Sequence, residues 1–261
     1  MKKLIIQIPC LNEAEQLPKT LSELPREISG VEVVEWLVID DGSIDETVQV
    51  AFDNGVDHVI RLPQNRGLAA GFQLGLDACL KLGADVVVNT DADNQYVGAD
   101  IEKIVSPILQ GRADLVIGDR DTSSIEEFSA IKKRLQSFGT RVVRWVSKTE
   151  ITDATSGFRA YSKEAALQLS VVNQYTYTIE SIIQAGRSNA AIESIPIRTN
   201  PSTRPSRLFD SIFGYIRRNS LTIIRVFAAY KPLRFFGVIS ALFFVASLGA
   251  FSPFLWDWII N

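Results

Sequence analysis

Hydrophobic and polar positions follow two different periods along the first two thirds of the chain. Short runs rich in branched residues, at 3–9, 33–39, 57–61, 84–90 and 113–118, predict strands. Between them, near 14–23, 45–53, 67–82 and 98–110, apolar residues recur three and four apart and predict helices. This alternation predicts an α/β domain with a mostly parallel sheet and helices on both faces. Turn chemistry agrees with it. Asp45 can cap the helix from Glu46, and Gly83 and Gly111 follow helical runs as stops. Gly67, Gly71 and Gly75 recur every four residues on one helix face, which suits close packing of that helix on the sheet.

After residue 120 the pattern is less regular. A basic helix is predicted near 129–147, a short strand after the turn-rich segment Asp153–Arg159, a helix near 178–187 and a strand near 192–198. Residues 199–207 read as a polar loop or linker. From Phe209 the chain is amphipathic: Phe209, Phe213, Ile216, Ile223 and Phe227 share a helical face, and Arg217 and Arg218 lie on another. Such a helix can lie in a membrane interface. Phe235–Trp256 then runs 22 residues without a charge. At ~1.5 Å per residue it would extend roughly 33 Å, close to the hydrocarbon thickness of a bilayer. Pro253 is expected to end or kink it. Lys231 and Arg234 place its start on the cytoplasmic side, and Trp256 and Trp258 fall in the far interface. A second span beyond residue 261 is left open, as is self-association through this segment.

The organisation expected is therefore 1–207 as the catalytic domain, 208–232 as interfacial helices and 233–261 as a transmembrane segment. The N-terminal apolar run stops at Pro9 and polar Asn12-Glu13, which makes it a first strand rather than a secretion signal. The catalytic domain is then cytoplasmic, at the plasma (inner) membrane.

Charge sharpens this picture. The 261-residue chain carries a net charge of −3, so it is not a nucleic-acid binder on electrostatics. Eight Lys/Arg and one acid, Asp210, fall between Arg198 and Arg234, leaving −10 on the rest. A basic strip beside an apolar segment suits an anionic membrane surface. The two cysteines, Cys10 and Cys79, read as buried free thiols. The one histidine, His58, reads as a surface or packing residue, which excludes histidine-based triads and metal centres.

Candidate chemistry gathers where strands end. Asp91-Ala92-Asp93-Asn94-Gln95 follows the buried run Val86–Val88. Open α/β sheets bind ligands at the carboxyl ends of their strands, and two carboxylates with an amide suit a hard divalent cation beside phosphate. Asp40-Asp41-Gly42-Ser43 ends the second strand, and Pro9-Cys10-Leu11-Asn12-Glu13 follows the first. If strands one, two and four are neighbours, these ends converge on one cleft. A Rossmann G-x-G-x-x-G and a P-loop are both absent.

These pieces, with Asn65-Arg66-Gly67, Gly118-Asp119-Arg120 and Ser156-Gly157-Phe158-Arg159, give the chain its resemblance to glycosyltransferase family 2. It is most similar to the branch of dolichyl-phosphate mannose synthase and bacterial polyprenyl-phosphate sugar transferases. The resemblance implies a GT-A-type, Rossmann-like fold and a metal-dependent inverting transferase of cell-envelope glycan synthesis. It implies that Pro9, Leu11, Glu13, Asp40, Asp41 and Asp91 bind the nucleotide sugar, and that Arg204 closes a loop over it. Asp91, Asp93 and Gln95 would hold Mg²⁺ or Mn²⁺. Arg120, Lys133 or Arg134, and Ser137 would meet the acceptor phosphate. Asp93, Asp153, Arg120 and Arg159 are the candidate catalytic residues. At the donor loop the family often has Gly-x-Ser-Lys, whereas this chain has Arg204-Pro205-Ser206-Arg207.

The partners implied are a nucleotide sugar, UDP-linked first and GDP-mannose second, a polyprenyl or dolichyl phosphate, and membrane lipid. A phosphate acceptor is already anionic and needs little help from a base, because its second pKa is ~6. A sugar-hydroxyl acceptor on a glycolipid or polysaccharide precursor needs one, and Asp153 is the candidate. The processive-synthase motif Gln-x-x-Arg-Trp fails at Arg141, so such transfer would be non-processive. A non-catalytic membrane scaffold of the same fold is the alternative of another class. The intact Asp91/Asp93/Gln95 set argues against it.

Overall fold

A computed structural model describes residues 2–120, 130–171, 177–201, 221, 224–225, 227–229 and 231–260; within the helices, the side chains of 130–136, 255, 257 and 260 lie outside the description. Arg204, the side chains of Lys133 and Arg134, and most of the amphipathic segment therefore fall outside it. The chain divides into two compact units, 1–208 and 209–261.

In the first unit the strands are β1 (Lys3–Cys10), β2 (Val33–Asp40), β3 (His58–Arg61), β4 (Val86–Asn89), β5 (Leu115–Asp119), β6 (Arg159–Ser162) and β7 (Ile192–Pro196). They form one sheet in the order β3-β2-β1-β4-β6-β5-β7. All pairs are parallel except those of β6, which runs antiparallel to both β4 and β5. Every expected strand is present, and β1, β2 and β4 are neighbours. The antiparallel β6 reverses the chain, so that residues 153–158 arrive at the same edge as the ends of β1, β2 and β4.

The helices are α1 (Leu17–Glu23), α2 (Thr47–Asp53), α3 (Leu68–Lys81), α4 (Ile101–Leu109), α5 (Ala130–Ser147), α6 (Lys163–Gln168) and α7 (Thr178–Arg187), with a 3-10 turn at Gly98–Asp100. Strand side chains alternate between faces. Leu4, Ile6, Ile8, Val38, Val86 and Val88 form a core with Leu17 and Leu21 of α1 and Ile101, Ile104 and Val105 of α4. The other face takes α3. A Cβ on Gly75 would stand 2.5 Å from Gln7 Oε1 and 2.7 Å from Ile39 Cδ1, so the glycines of α3 serve helix–sheet packing as expected. Both cysteines are free and buried. His58 Nε2 lies 2.7 Å from Glu35 Oε2, at the surface. The second helix starts one residue later than expected, with Glu46 rather than Asp45 at its N-cap; Asp45 Oδ1 accepts the Thr47 N–H and hydroxyl from just before it.

In the second unit, α8 spans Pro232–Ile260. Its stretch Pro232–Phe254 has a mean hydropathy of 2.0 and is long and apolar enough to cross a membrane. Of the two outcomes expected at Pro253, an end or a kink, the helix does not take the first. Proline removes the N–H that would bond the carbonyl four residues back. The Ser252 hydroxyl donates to that carbonyl, Gly249 O, at 2.8 Å. In an apolar segment a serine can supply the lost bond in this way, and the helix continues to Ile260.

Candidate active site

The first two loops build each other. Asn12 takes a left-handed conformation (φ 55°), which aims its N–H at Ser43 Oγ (2.8 Å) and lets its Oδ1 accept the Ile44 N–H (2.9 Å). The Glu13 N–H donates to Thr47 Oγ1, and the Asp41 N–H to Cys10 O. Gly42 has φ 80°, and a Cβ there would lie 2.7 Å from the Gln64 carbonyl carbon. Only glycine satisfies both constraints. Much of the Asn-Glu and Asp-Asp-Gly-Ser signature is therefore architecture that presents Pro9, Leu11 and Glu13 at the strand ends.

The paired acids of β2 divide their labour. Asp41 caps the start of α3, accepting the Arg66 N–H (2.7 Å) and Gly67 N–H (2.8 Å). Asp40 is fully buried and accepts the Ser43 N–H through Oδ1. Its Oδ2 makes no hydrogen bond and has the Arg61 guanidinium 3.4 Å away. Of the two, Asp40 keeps an oxygen able to accept from a ligand.

Beyond β4, Asp91 and Asp93 carry the charge of the cleft. Burial raises the Asp91 carboxyl, the neighbouring Asp93 charge raises it further, and Arg120 and the Tyr96 hydroxyl pull it back; the net result is a pKa of about 7. Asp93 Oδ1 accepts the Gln95 N–H at 3.1 Å, which turns the loop back on itself. Two crowded carboxylates in a desolvated cleft, an amide beside them, and oxygen as the donor atom throughout fit a hard divalent cation. Among the described residues no group of three His, Cys, Asp or Glu stands ready to hold a metal. Two acids would need donor phosphate or water to complete the shell.

The residues beneath these acids were not foreseen. Asn89 Nδ2 donates to Gly157 O (2.9 Å) and Tyr177 Oη (2.8 Å), and its Oδ1 accepts from Gln7 (2.9 Å). Tyr177 stacks on Phe72 with centroids 3.9 Å apart. Tyr96 Oη accepts the Gly157 N–H at 3.1 Å, and its ring stacks on Phe158. The available signal was a polar Asn89 closing an otherwise apolar strand. Gly157 is thus held on three sides. A Cβ there would lie 2.9 Å from Tyr177 Oη and 3.1 Å from both Asp91 carboxylate oxygens. We expect Gly157→Ala to displace the Asp91 carboxylate and lower transfer about 10- to 100-fold, the range for a residue that orients a ligand. A rate series across Mn²⁺ concentrations should show a raised metal requirement with the melting temperature little changed.

Arg120 and Asp153 form one unit. Arg120 Nε and Nη2 meet the two Asp153 oxygens at 2.7 and 3.1 Å, and Nη2 also reaches Thr155 Oγ1 at 2.8 Å. Their side chains are 10% and 1% exposed. Burial raises the Asp153 carboxyl, but the Arg120 charge and hydrogen bonds outweigh it and hold the group below the ordinary carboxylate range. Such a carboxylate is a weaker proton acceptor than a free one, which disfavours the base role that a hydroxyl acceptor would ask of it. Arg159 is fully buried, and its guanidinium donates to Ser156 O, Thr178 O, Ser181 Oγ and Ala154 O. It ties the 153–158 turn to α7. Ser137 is exposed on α5.

Known proteins resemble this chain in sequence and in fold. Residues 5–169 match the model for glycosyl transferase family 2. The chain is 27% identical to a UDP-N-acetylglucosamine–dolichyl-phosphate N-acetylglucosaminyltransferase of Methanococcus voltae, over 76% of this chain and 86% of that one. It is 29% identical to an undecaprenyl-phosphate mannosyltransferase of Micrococcus luteus, over 73% and 80%. Its fold is similar to glucosyl-3-phosphoglycerate synthase of Mycobacterium tuberculosis, crystallised with Mn²⁺, uridine diphosphate and phosphoglyceric acid. That structure gives a TM-score of 0.68 at 18% identity and covers 88% of this chain and 78% of the other. The family match takes in β1 through β6 and the three acidic strand ends that shape the cleft, and the chain belongs to glycosyl transferase family 2 as a glycosyltransferase.

Proposed function

We propose that the protein moves a sugar from a nucleotide sugar, UDP-linked first and GDP-mannose second, to a polyprenyl or dolichyl phosphate at a membrane. The observation that carries this reading is the Arg120–Asp153 pair. It puts a cation beside Asp91 and, in the same stroke, uses up the acid that a hydroxyl acceptor would require. Two relatives named for transfer to lipid phosphates support it, and so does the apolar α8. The membrane role assigned to 208–232 and 233–261, with the domain 1–207 on the cytoplasmic side, belongs to the same proposal.

Asp40 would accept from the base or ribose of the donor, in a cleft lined by Pro9, Leu11 and Glu13. Asp91, Asp93 and Gln95 would hold Mg²⁺ or Mn²⁺. That ion would neutralise charge building on the departing diphosphate. Arg120 would align the acceptor phosphate. An acceptor oxygen attacks the anomeric carbon as the bond to the diphosphate oxygen breaks. The electron pair leaves with the nucleoside diphosphate, and the anomeric configuration inverts. The protein's contribution is positioning and charge balance.

The test is sugar transfer by purified protein in detergent with Mn²⁺ or Mg²⁺, undecaprenyl or dolichyl phosphate, and a panel of UDP- and GDP-sugars. Metal-dependent formation of a mild-acid-labile lipid-phosphate sugar, lost in Asp93→Ala, is the expected result. Donor turnover that appears only when a glycolipid is added would overturn it in favour of a hydroxyl acceptor.

A further inference from the structure

Helix α5 has two unlike faces. Thr140, Val143, Val146 and Ser147 are buried against the domain. On the far side, Phe138 is 58% and Trp145 49% exposed, and Arg141 and Arg144 are exposed with them. At about 3.6 residues per turn, positions 138, 141 and 145 fall within an arc of about 60°. The exposed face therefore sets two large aromatic rings beside Arg141, with Arg144 at its edge. No acid occurs between Ala130 and Thr149, while Lys132, Lys133 and Arg134 continue the basic run in sequence. The first acid beyond is Glu150, exposed past the end of the helix.

A surface helix of a soluble domain normally turns mixed charge to water and hides its aromatic rings. This one does the reverse. Aromatic rings seated among arginines, on a helix that carries no acid of its own, are the composition of a face that lies at the headgroup level of an anionic bilayer. Tryptophan and phenylalanine enter the acyl boundary there, and each nearby Lys or Arg gains from the negative surface potential. The same chain carries an apolar helix able to cross a bilayer, so a lipid surface is available to the domain.

We infer that the outer face of α5, centred on Phe138, Arg141 and Trp145, is a second membrane-docking surface that seats the catalytic unit on anionic lipid. It belongs to a different stretch of the sequence from α8 and from the amphipathic segment after residue 208. It does not depend on which acceptor the enzyme uses.

The test places full-length protein carrying Trp256→Phe and Trp258→Phe in nanodiscs. Trp145 and the buried Trp36 then remain as the fluorophores. Nanodiscs of phosphatidylcholine alone are compared with discs rich in phosphatidylglycerol, each with and without brominated acyl chains. Docking predicts a blue shift and bromolipid quenching of Trp145, strongest in the anionic discs and weakened by salt. Arg141→Glu with Arg144→Glu should reduce that quenching at least about threefold while far-ultraviolet dichroism and the melting temperature stay as in the parent. Trp145 that remains open to aqueous iodide and unquenched in every disc would overturn the inference. So would protection that follows protein concentration and ignores lipid charge, which would assign this face to a second copy of the chain.

Discussion

Asp91→Asn is expected to reduce sugar transfer about 10²- to 10³-fold and, in the same protein, to raise the melting temperature measured without metal. The activity loss follows from removing one of two carboxylates available to a divalent ion whose charge stabilisation amounts to several kcal/mol. The stability gain follows from the group's pKa. Burial and Asp93 raise the Asp91 carboxyl to about 7. An acid whose folded value lies above its unfolded value destabilises the fold once it is charged. The penalty is absent below about pH 4, grows through the interval up to about 7, and is complete above it. Partial exposure of Asp91 screens it, so ~1–3 kcal/mol is the scale expected near pH 8. Asparagine has the same shape and can keep its place against Gly157 without the charge. Thermal melts with chelator from pH 4 to 8 should show the parent losing stability relative to Asp91→Asn as pH rises. A variant that loses activity and melts lower at pH 8 would place Asp91 in the scaffold instead.

The second large effect concerns Arg120 and Asp153. Arg120→Ala leaves a buried carboxylate without its main counter-charge, which typically costs ~3–5 kcal/mol. Asp153 retains the Thr155 N–H and hydroxyl and the Ser156 N–H at about 3 Å, so the lower end of that range is expected. Asp153 is held low in the folded state, so its stabilisation is present above the ordinary carboxylate value and fades as pH falls through the folded one. Arg120→Ala should remove that acid-side component of the melt and reduce transfer about 10²- to 10³-fold, the scale for one electrostatic stabiliser. Asp153→Asn carries the diagnostic. If Asp153 positions Arg120, its loss raises the KM for acceptor more than it lowers kcat, leaves the pH profile in place, and adds little to Arg120→Ala in the double variant. If Asp153 removes a proton, kcat collapses, the acid limb of the pH profile moves, and the double variant is worse than either alone.

Once the family is established, the scaffold reading is set aside. A sugar hydroxyl remains the outcome against which a lipid-phosphate acceptor is tested. The pairing of Asp153 with Arg120 is what supports the phosphate in that comparison.

Strand and helix positions were legible along the chain because the central strands β1, β4 and β6 are buried on both faces and helices such as α3 and α4 on one. Val86–Val88 reads as a central strand for that reason, and the Gly67/Gly71/Gly75 stripe reads as close packing. The acids at 40–41 and 91–93 were legible as a cleft because parallel strands bring their carboxyl ends to one edge. The division of labour within that cleft was not. Whether Asp40 or Asp41 faces a ligand depends on which carboxylate is taken by the start of α3, a contact 25 residues away in the chain. Asp153 looked like a base until the antiparallel β6 carried it to Arg120, 33 residues distant. Arg159 looked like a site residue because it follows the Ser-Gly-Phe turn, yet strand alternation sends its side chain under that turn. Local sequence determined which segments form strands, helices and acidic turns, because period and turn chemistry act over a few residues. Only the tertiary structure decided which charged groups meet, because a carboxylate's partner and its desolvation are set by chain segments that periodicity does not connect.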